Sequence, residues 1–296
     1  MAEAASGEAR PSAGNVLALT AIAMLAFAAN SLLCRLALGR GLIDPASFAT
    51  TRVIAGAVTL GLIVLPKWRS SGRSTPDWPA AGMLFVYMAG FSFAYVTLSA
   101  GTGALILFGA VQLTMFVAAL RGGEHFALLS WLGLAIAVLG LVYLVSPGIT
   151  APDPLGAALM TVAGVAWGVY SLRGRGAADP LSSTANNFIC AVPMVLAVSA
   201  VFIGGFRVSA RGLALAVASG AVTSGLGYVV WYAALRGLTR ARAATVQLSV
   251  PVIAAIGGVL LLAEPITLRL LLASAATLGG VWLALRHRGH AASKTA

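Results

Sequence analysis

Apolar residues run along this chain in blocks of about twenty, broken by short polar or basic stretches and not by strand-like alternation. A block of that length is what a bilayer core of about 30 Å asks of a helix rising about 1.5 Å per residue. Ten such spans can be read, over 15–34, 46–65, 80–98, 101–120, 128–145, 154–172, 183–203, 210–234, 241–262 and 266–285. The links between them leave no room for a folded soluble domain. The pattern predicts an all-α polytopic membrane protein of ten transmembrane helices.

The pattern also repeats. Leu98 to Val145 can be laid on Leu238 to Leu285 without a gap, at a constant offset of 140 that puts Glu124 on Glu264 and Gly140 on Gly280. The same offset carries Ser31 to Ser171 and Arg35 to Arg175. Apolar coincidences are cheap in such a composition, but only eight acidic residues exist, and two of them meet in register. Ten spans in two copies give five each, and an odd number makes the second copy cross the membrane in the opposite sense. The expectation is two inverted five-helix repeats, 15–145 and 154–285, with a site near the midplane that opens alternately to either side. Outside them, residues 1–14 read as a disordered tail and 286–296 as a basic, mobile one. The first span is long for a signal-peptide core and reads as retained.

Composition supports the membrane reading: 59% of residues are hydrophobic and 9% charged, against roughly half and a quarter in soluble domains. A net charge of +11 would point to nucleic acid in a soluble protein. Here the basic residues sit at span ends. With the N-terminus inside, Arg10, Lys67, Arg69, Arg73, Arg121, Arg173, Arg175, Arg236, Arg240, Arg242, Arg286, Arg288 and Lys294 face the cytoplasm. Arg35, Arg40, Arg207, Arg211 and Arg269 face outward. That bias places both termini inside, and no nucleic-acid partner is expected. Cys34 and Cys190 form no CxxC pair, and His125, His287 and His290 lie at span ends. No metal-ligand spacing or Ser–His–acid set is present, so neither an enzyme nor a cofactor is expected.

Acidic residues outside the tails (Asp44, Asp77, Glu124, Asp153, Asp179, Glu264) all fall at span ends or in links. A proton-coupled carrier commonly keeps a titratable group in the membrane, so the sequence suggests facilitative transport or exchange. Arg52, within the second span, reads as a snorkelling or interhelical hydrogen-bonding residue in preference to a substrate clamp. The candidate substrate-binding residues are aromatic and amide side chains: Asn30, Tyr87, Phe91, Tyr95, Gln112, Trp167, Tyr170, Tyr228, Trp231 and Gln247. Tyr87, Phe91 and Tyr95 share one helical stripe, as do Ser224, Tyr228 and Tyr232. Buried amides in hydrocarbon need partners, which turns them toward the bundle or a wet cavity. Trp167, Tyr170, Trp231 and Tyr232 also suit an interfacial aromatic belt, and Asn30 a helix–helix bridge. Pro193 and Pro251 interrupt spans seven and nine, Pro251 being the candidate hinge.

Ala94 to Phe116 and Tyr232 to Thr267 resemble the paired span junctions of the drug/metabolite transporter superfamily, EamA type. The second run has the more specific pattern: a helix end, a short link, an Ala-rich helix with a central Pro251, and a closing Glu264–Pro265. The first half departs from it, with Val111 and His125 where the second has Pro251 and Pro265. Within the superfamily the first run is similar to the YddG-type bacterial exporters of aromatic amino acids and metabolites. That resemblance implies ten helices, a central cavity between halves and export across the bacterial inner membrane. The chain then reads as a carrier of amino acids or small amphipathic metabolites working by alternating access as a functional monomer, with membrane lipid around it. The alternatives are an exporter of lipophilic cations, which commonly places a carboxylate opposite its substrate, a channel, and a non-transporting membrane scaffold or sensor.

Overall fold

The structure is a computed structural model describing residues 12–73 and 75–286. The segments 1–11 and 287–296, where most of the two expected tails fall, lie outside the described residues. Among the described residues ten long helices follow one another: α1 Ala13–Gly39, α2 Pro45–Ser71, α3 Trp78–Ala94, α4 Ala100–Arg121 and α5 Leu128–Val145, then α6 Pro154–Gly174, α7 Pro180–Val201, α8 Ala210–Leu235, α9 Ala241–Leu262 and α10 Leu268–Arg286. All but α3 are at least 18 residues long and apolar enough to cross a bilayer. The chain is a multi-pass membrane protein.

α1 and α2 are each 27 residues long and outrun the spans expected from hydropathy, which ended at 34 and 65. Hydropathy marks where the hydrocarbon stops, whereas a helix continues until its backbone meets a stop signal. In α2 that signal is Gly72 at φ 77, a left-handed conformation that glycine adopts without a Cβ penalty. α1 starts at Ala13, with Ser12 as its N-cap accepting from the Asn15 amide.

All four aspartates cap helices. Asp44, Asp77, Asp153 and Asp179 each accept a backbone amide three residues on, from Ser47, Ala80, Gly156 and Ser182. A proline sits in the first turn of each of these helices, where its missing N–H costs nothing. The carboxylate satisfies an orphan donor and faces the positive end of the helix dipole.

α2 packs along α7, α5 along α10, and α4 against α9. α3 lies on α6 and α7, and α8 lies on α1 and α2. These neighbours map onto themselves when α1–α5 are exchanged for α6–α10. α1 also approaches α4, which α6 and α9 do not match among the described residues. The α5–α10 crossing is close because Gly133 and Gly280 face each other; a Cβ on either would collide with the other's carbonyl. Small residues at such crossings are how apolar helices gain contact where lipid removes the hydrophobic incentive to associate.

Candidate functional site

α1, α3, α4, α6 and α8 surround a narrow cavity of about 20 Å³ lined mainly by rings and hydroxyls. Trp167 is its hub. Its ring stacks on Tyr87 at 5.7 Å, meets Phe108 edge-on at 5.3 Å and Phe27 at 6.1 Å. Its indole N–H donates to the Tyr228 hydroxyl at 3.2 Å. Edge-to-face and offset contacts let each ring quadrupole meet a complementary partner, which stiffens the wall.

The polar side of the cavity comes from α1 and an irregular stretch of α8. Residues Ser219–Leu226 are wound as a π-helix, a wider turn that is rare and often found at functional sites. Gly220 brings this stretch against the Arg52 carbonyl of α2, leaving no space for a Cβ. The stretch projects Thr223 and Ser224 into the cavity wall. Asn30 Oδ1 accepts from Ser219 Oγ at 2.6 Å and from Thr223 Oγ1 at 3.2 Å, tying α1 to α8.

Arg52 fulfils one of the two roles expected of it and not the other. Its side chain does not snorkel, since Arg52 is 0% exposed. Its Nη2 donates to Tyr87 Oη at 3.1 Å and to Ser224 Oγ at 3.5 Å, so it does bond between helices. The guanidinium lies 4.7 Å from the Phe91 ring centroid and 5.4 Å from that of Tyr87. Arg52 Nη1 is buried with no hydrogen-bond partner. Among the described residues no carboxylate pairs with Arg52. A lone charge in such surroundings costs several kcal/mol even after relaxation, and cation–π contact returns only about 0.5–2 kcal/mol.

Of the ten candidates, Asn30, Tyr87, Phe91, Trp167 and Tyr228 line this cavity together. Trp231 adjoins it through Phe27, with ring centroids 5.9 Å apart. Tyr95 lies beneath Phe91 at 4.7 Å and donates its hydroxyl proton to the Ala100 carbonyl. Tyr170 belongs to a separate hydroxyl cluster, at 3.2 Å from Thr184, which also meets the Tyr232 hydroxyl at 2.8 Å. Gln112 reaches the Ala244 carbonyl of α9 at 3.5 Å. Gln247 is half-buried outside the cavity lining. Pro251 is buried in α9, where its missing N–H leaves the Gln247 carbonyl without its helical donor. Phe27, Leu107, Phe108 and Thr223 line the cavity without having stood out in the sequence. An apolar residue on an all-apolar helix carries no periodic signal of which way it faces.

The two ends of the bundle are held differently. At the end bearing the α1–α2 link, the Asp44 amide donates to the Arg207 carbonyl at 2.8 Å, the Ser209 amide donates to the Leu42 carbonyl at 2.9 Å, and Asp44 Oδ2 accepts the Arg207 amide at 3.0 Å. There Arg35 Nε donates to Glu264 Oε1 at 2.9 Å, and Arg35 Nη1 donates to the Tyr95 and Val96 carbonyls. Glu264 Oε2 accepts the Ala100 amide at 2.8 Å, so one ion pair joins α1, α3, α4 and the α9–α10 link. The opposite end is tied by Lys67–Asp179 at 2.7 Å and Arg173–Asp77 at 3.0 Å. Burial raises the Asp77 and Asp179 carboxyls, but hydrogen bonds from the Ala80 amide, Ser182, Lys67 and Arg173 outweigh it and leave both below the usual range. Glu124 is exposed at that end and carries no ion pair among the described residues.

Residues 154–286 match the EamA-like transporter family. An uncharacterized protein of Pseudomonas aeruginosa, PA1977, is 50% identical over 281 residues, 95% of this chain and 98% of its own. An uncharacterized transporter of Archaeoglobus fulgidus is 27% identical over 254 residues, covering 83% of this chain and 90% of its own. A crystal structure of a protein 20% identical in sequence superposes with a TM-score of 0.64 over 93% of this chain and 99% of that one, a likeness of fold.

Proposed function

We propose that this chain, which belongs to one family with the Pseudomonas aeruginosa protein and carries an EamA-like transporter domain, is a carrier of aromatic amino acids and similar small amphipathic metabolites. The observation that carries this reading is the aromatic cavity built around Trp167. Its rings suit a flat apolar group, while Asn30, Ser31, Thr223 and Ser224 offer hydrogen bonds to a polar end. Ligand sites of this kind are largely apolar with a few converging polar groups. Among the described residues no Asp, Glu or His lines the cavity, which favours flux driven by the substrate's own gradient, or exchange. The same lining gives a lipophilic cation no carboxylate to sit against. A membrane scaffold has no use for a polar-sided cavity at the centre of the bundle.

The mode of action would be alternating access by two inverted five-helix repeats. The self-mapping of helix neighbours supports it, as does the offset of 140 between Arg35–Glu264 and Arg175–Glu124. The first pair would hold one end shut. Its counterparts stand at the other end, where Arg175 rests on Met115 Sδ at 3.5 Å and Glu124 is exposed. Closing that end by an Arg175–Glu124 pair while Arg35 releases Glu264 would swap the roles of the halves. The distribution of basic residues supports placing the end that bears Arg175 and Glu124 in the cytoplasm of a bacterial inner membrane, with the carrier acting as a monomer.

The test is flux in proteoliposomes of the purified full chain with labelled phenylalanine and tryptophan and no imposed ion gradient. Saturable flux, competed by unlabelled substrate and surviving collapse of the pH gradient, is the expected result. Flux that stops with the pH gradient would replace the facilitative reading by proton coupling.

A further inference from the structure

We propose that Arg52, acting with the hydroxyls of Tyr87 and Ser224, is the subsite that receives the carboxylate of the substrate. The inference rests on the carrier reading and narrows its substrates to anions and zwitterions.

Other arginines of this chain show what a structural role looks like here. Arg35 uses its donors on two backbone carbonyls and Glu264. Arg269 donates to the carbonyls of Leu144, Ser146 and Pro147 at the end of α5. Both end with carbonyl or carboxylate oxygens around the guanidinium. Arg52 touches no carbonyl and no carboxylate: its described bonds run only to two side-chain hydroxyls, and Nη1 is left over. A guanidinium stays protonated even when buried, so the protein maintains a positive charge at this depth without a counter-ion of its own.

The charge is directed at the cavity. Tyr87, Phe91 and Ser224 separate Arg52 from the cavity, and all three line it. Arg52 occupies lone pairs of the two hydroxyl oxygens, so their protons are free to donate to a third group. A carboxylate entering from the cavity would accept from Tyr87 Oη and Ser224 Oγ and sit within the field of the guanidinium behind them. The contacts to Ser224 are long, at 3.4 and 3.5 Å, which leaves slack for Arg52 to shift toward an anion. An ammonium at the same place would face a like charge in a low-dielectric setting. The rings of Trp167 and Tyr228, which also line the cavity, remain for a ring or an amine.

Four probes separate the charges: L-phenylalanine, its amide, 3-phenylpropionate and phenethylamine. Binding is read by thermal stabilisation of the full-length protein in detergent, independently of flux. The expected result is that the two carboxylates stabilise the wild type, with apparent affinities at least tenfold above the amide and the amine. Arg52→Gln abolishes that preference and Arg52→Lys restores part of it. Should Arg52→Gln fail to fold, Ser224→Ala and Tyr87→Phe, which retain the arginine, are each expected to weaken the carboxylates severalfold while leaving the amine unchanged. Equal binding of phenylalanine and its amide, no stabilisation by either carboxylate, or an unchanged preference in folded Arg52→Gln overturns the proposal. Carboxylate-selective binding without flux would instead overturn the carrier reading and leave the subsite standing.

Discussion

Arg35 Nε lies 2.9 Å from Glu264 Oε1, across 229 residues of sequence, while the other oxygen of the same carboxylate caps α4 at the Ala100 amide. One side chain thus serves as ion-pair partner and helix cap. Hydrogen bonds to charged groups contribute about 1.5–3 kcal/mol each when partly buried. Glu264→Gln should therefore lower stability by about 1–3 kcal/mol and raise thiol accessibility of a cysteine placed at Ser99. Glu124→Gln, at the exposed counterpart, should change stability by less than about 0.5 kcal/mol. Equal losses from both variants in thermal unfolding would sink the distinction between the two ends.

The close α5–α10 crossing predicts a steric response. Gly133→Val forces a branched side chain into the backbone of α10 and should destabilise by about 1–3 kcal/mol. Gly82 in α3 has open space around its Cβ position, so Gly82→Ala should be neutral or stabilising by up to about 1 kcal/mol. Chemical or thermal unfolding in detergent checks both.

Trp167 joins four aromatic or hydroxyl partners, and its loss should be felt by substrate before it is felt by the fold. Trp167→Phe keeps most of the stacking and removes the hydrogen bond to Tyr228; Trp167→Ala opens the cavity. The expected order of KM is wild type below Phe below Ala, with Ala raised about tenfold or more, equivalent to about 1.4 kcal/mol. Unchanged KM in a folded Trp167→Ala protein would remove this cavity from the transport path.

Acid should loosen the end tied by Asp77 and Asp179. Both carboxyls sit below their ordinary range when folded, despite the opposing effect of burial. Their stabilisation is therefore complete above the unfolded value of about 3.9 and is lost as pH falls through the lower folded values. Asp179→Asn keeps the N-cap and loses the Lys67 charge pair, so at pH 7 it should cost only a few tenths of a kcal/mol and flatten the acid limb of a stability–pH curve. Asp179→Ala should cost about 1 kcal/mol at pH 7. A steeper acid limb in Asp179→Asn would contradict the assignment.

Sidedness has a direct test as well. A C-terminal fusion to a reporter active only in the cytoplasm should be active, and a well-expressed but inactive fusion would invert the orientation inferred from the basic residues.

Ten helices and their order were legible because hydrophobic length alone determines them in a bilayer. Helix ends were less legible, since α1 and α2 continue beyond the apolar block to signals such as Gly72. Half of the cavity could be read from polar or aromatic residues at mid-span: Asn30, Tyr87, Phe91, Trp167 and Tyr228. Phe27 and Phe108 could not, because on a helix apolar on every side nothing in the sequence distinguishes the cavity face from the lipid face. The aspartates before α2, α6 and α7 were read only as span-end residues, and the structure shows each of them capping the helix that follows. Arg52 was read in part: its interhelical bonding was expected, whereas its full burial depends on α3 and α8 folding over it.

The π-helical stretch of α8 makes this carrier sensitive to chain length at one spot. A π-turn holds about one residue more than the α-turn it replaces. Deleting a single residue within Ser219–Leu226 would let α8 relax into a regular α-helix while the segments on either side kept nearly the same facing, because a π-turn and the α-turn that replaces it both complete one rotation. Tyr228 would keep its place on the cavity wall, while the wide turn that carries Thr223 and Ser224 into that wall would be lost. The aromatic side of the cavity would thus survive and its polar side would not, so a change of one residue in length would alter the chemistry of the cavity without moving its rings.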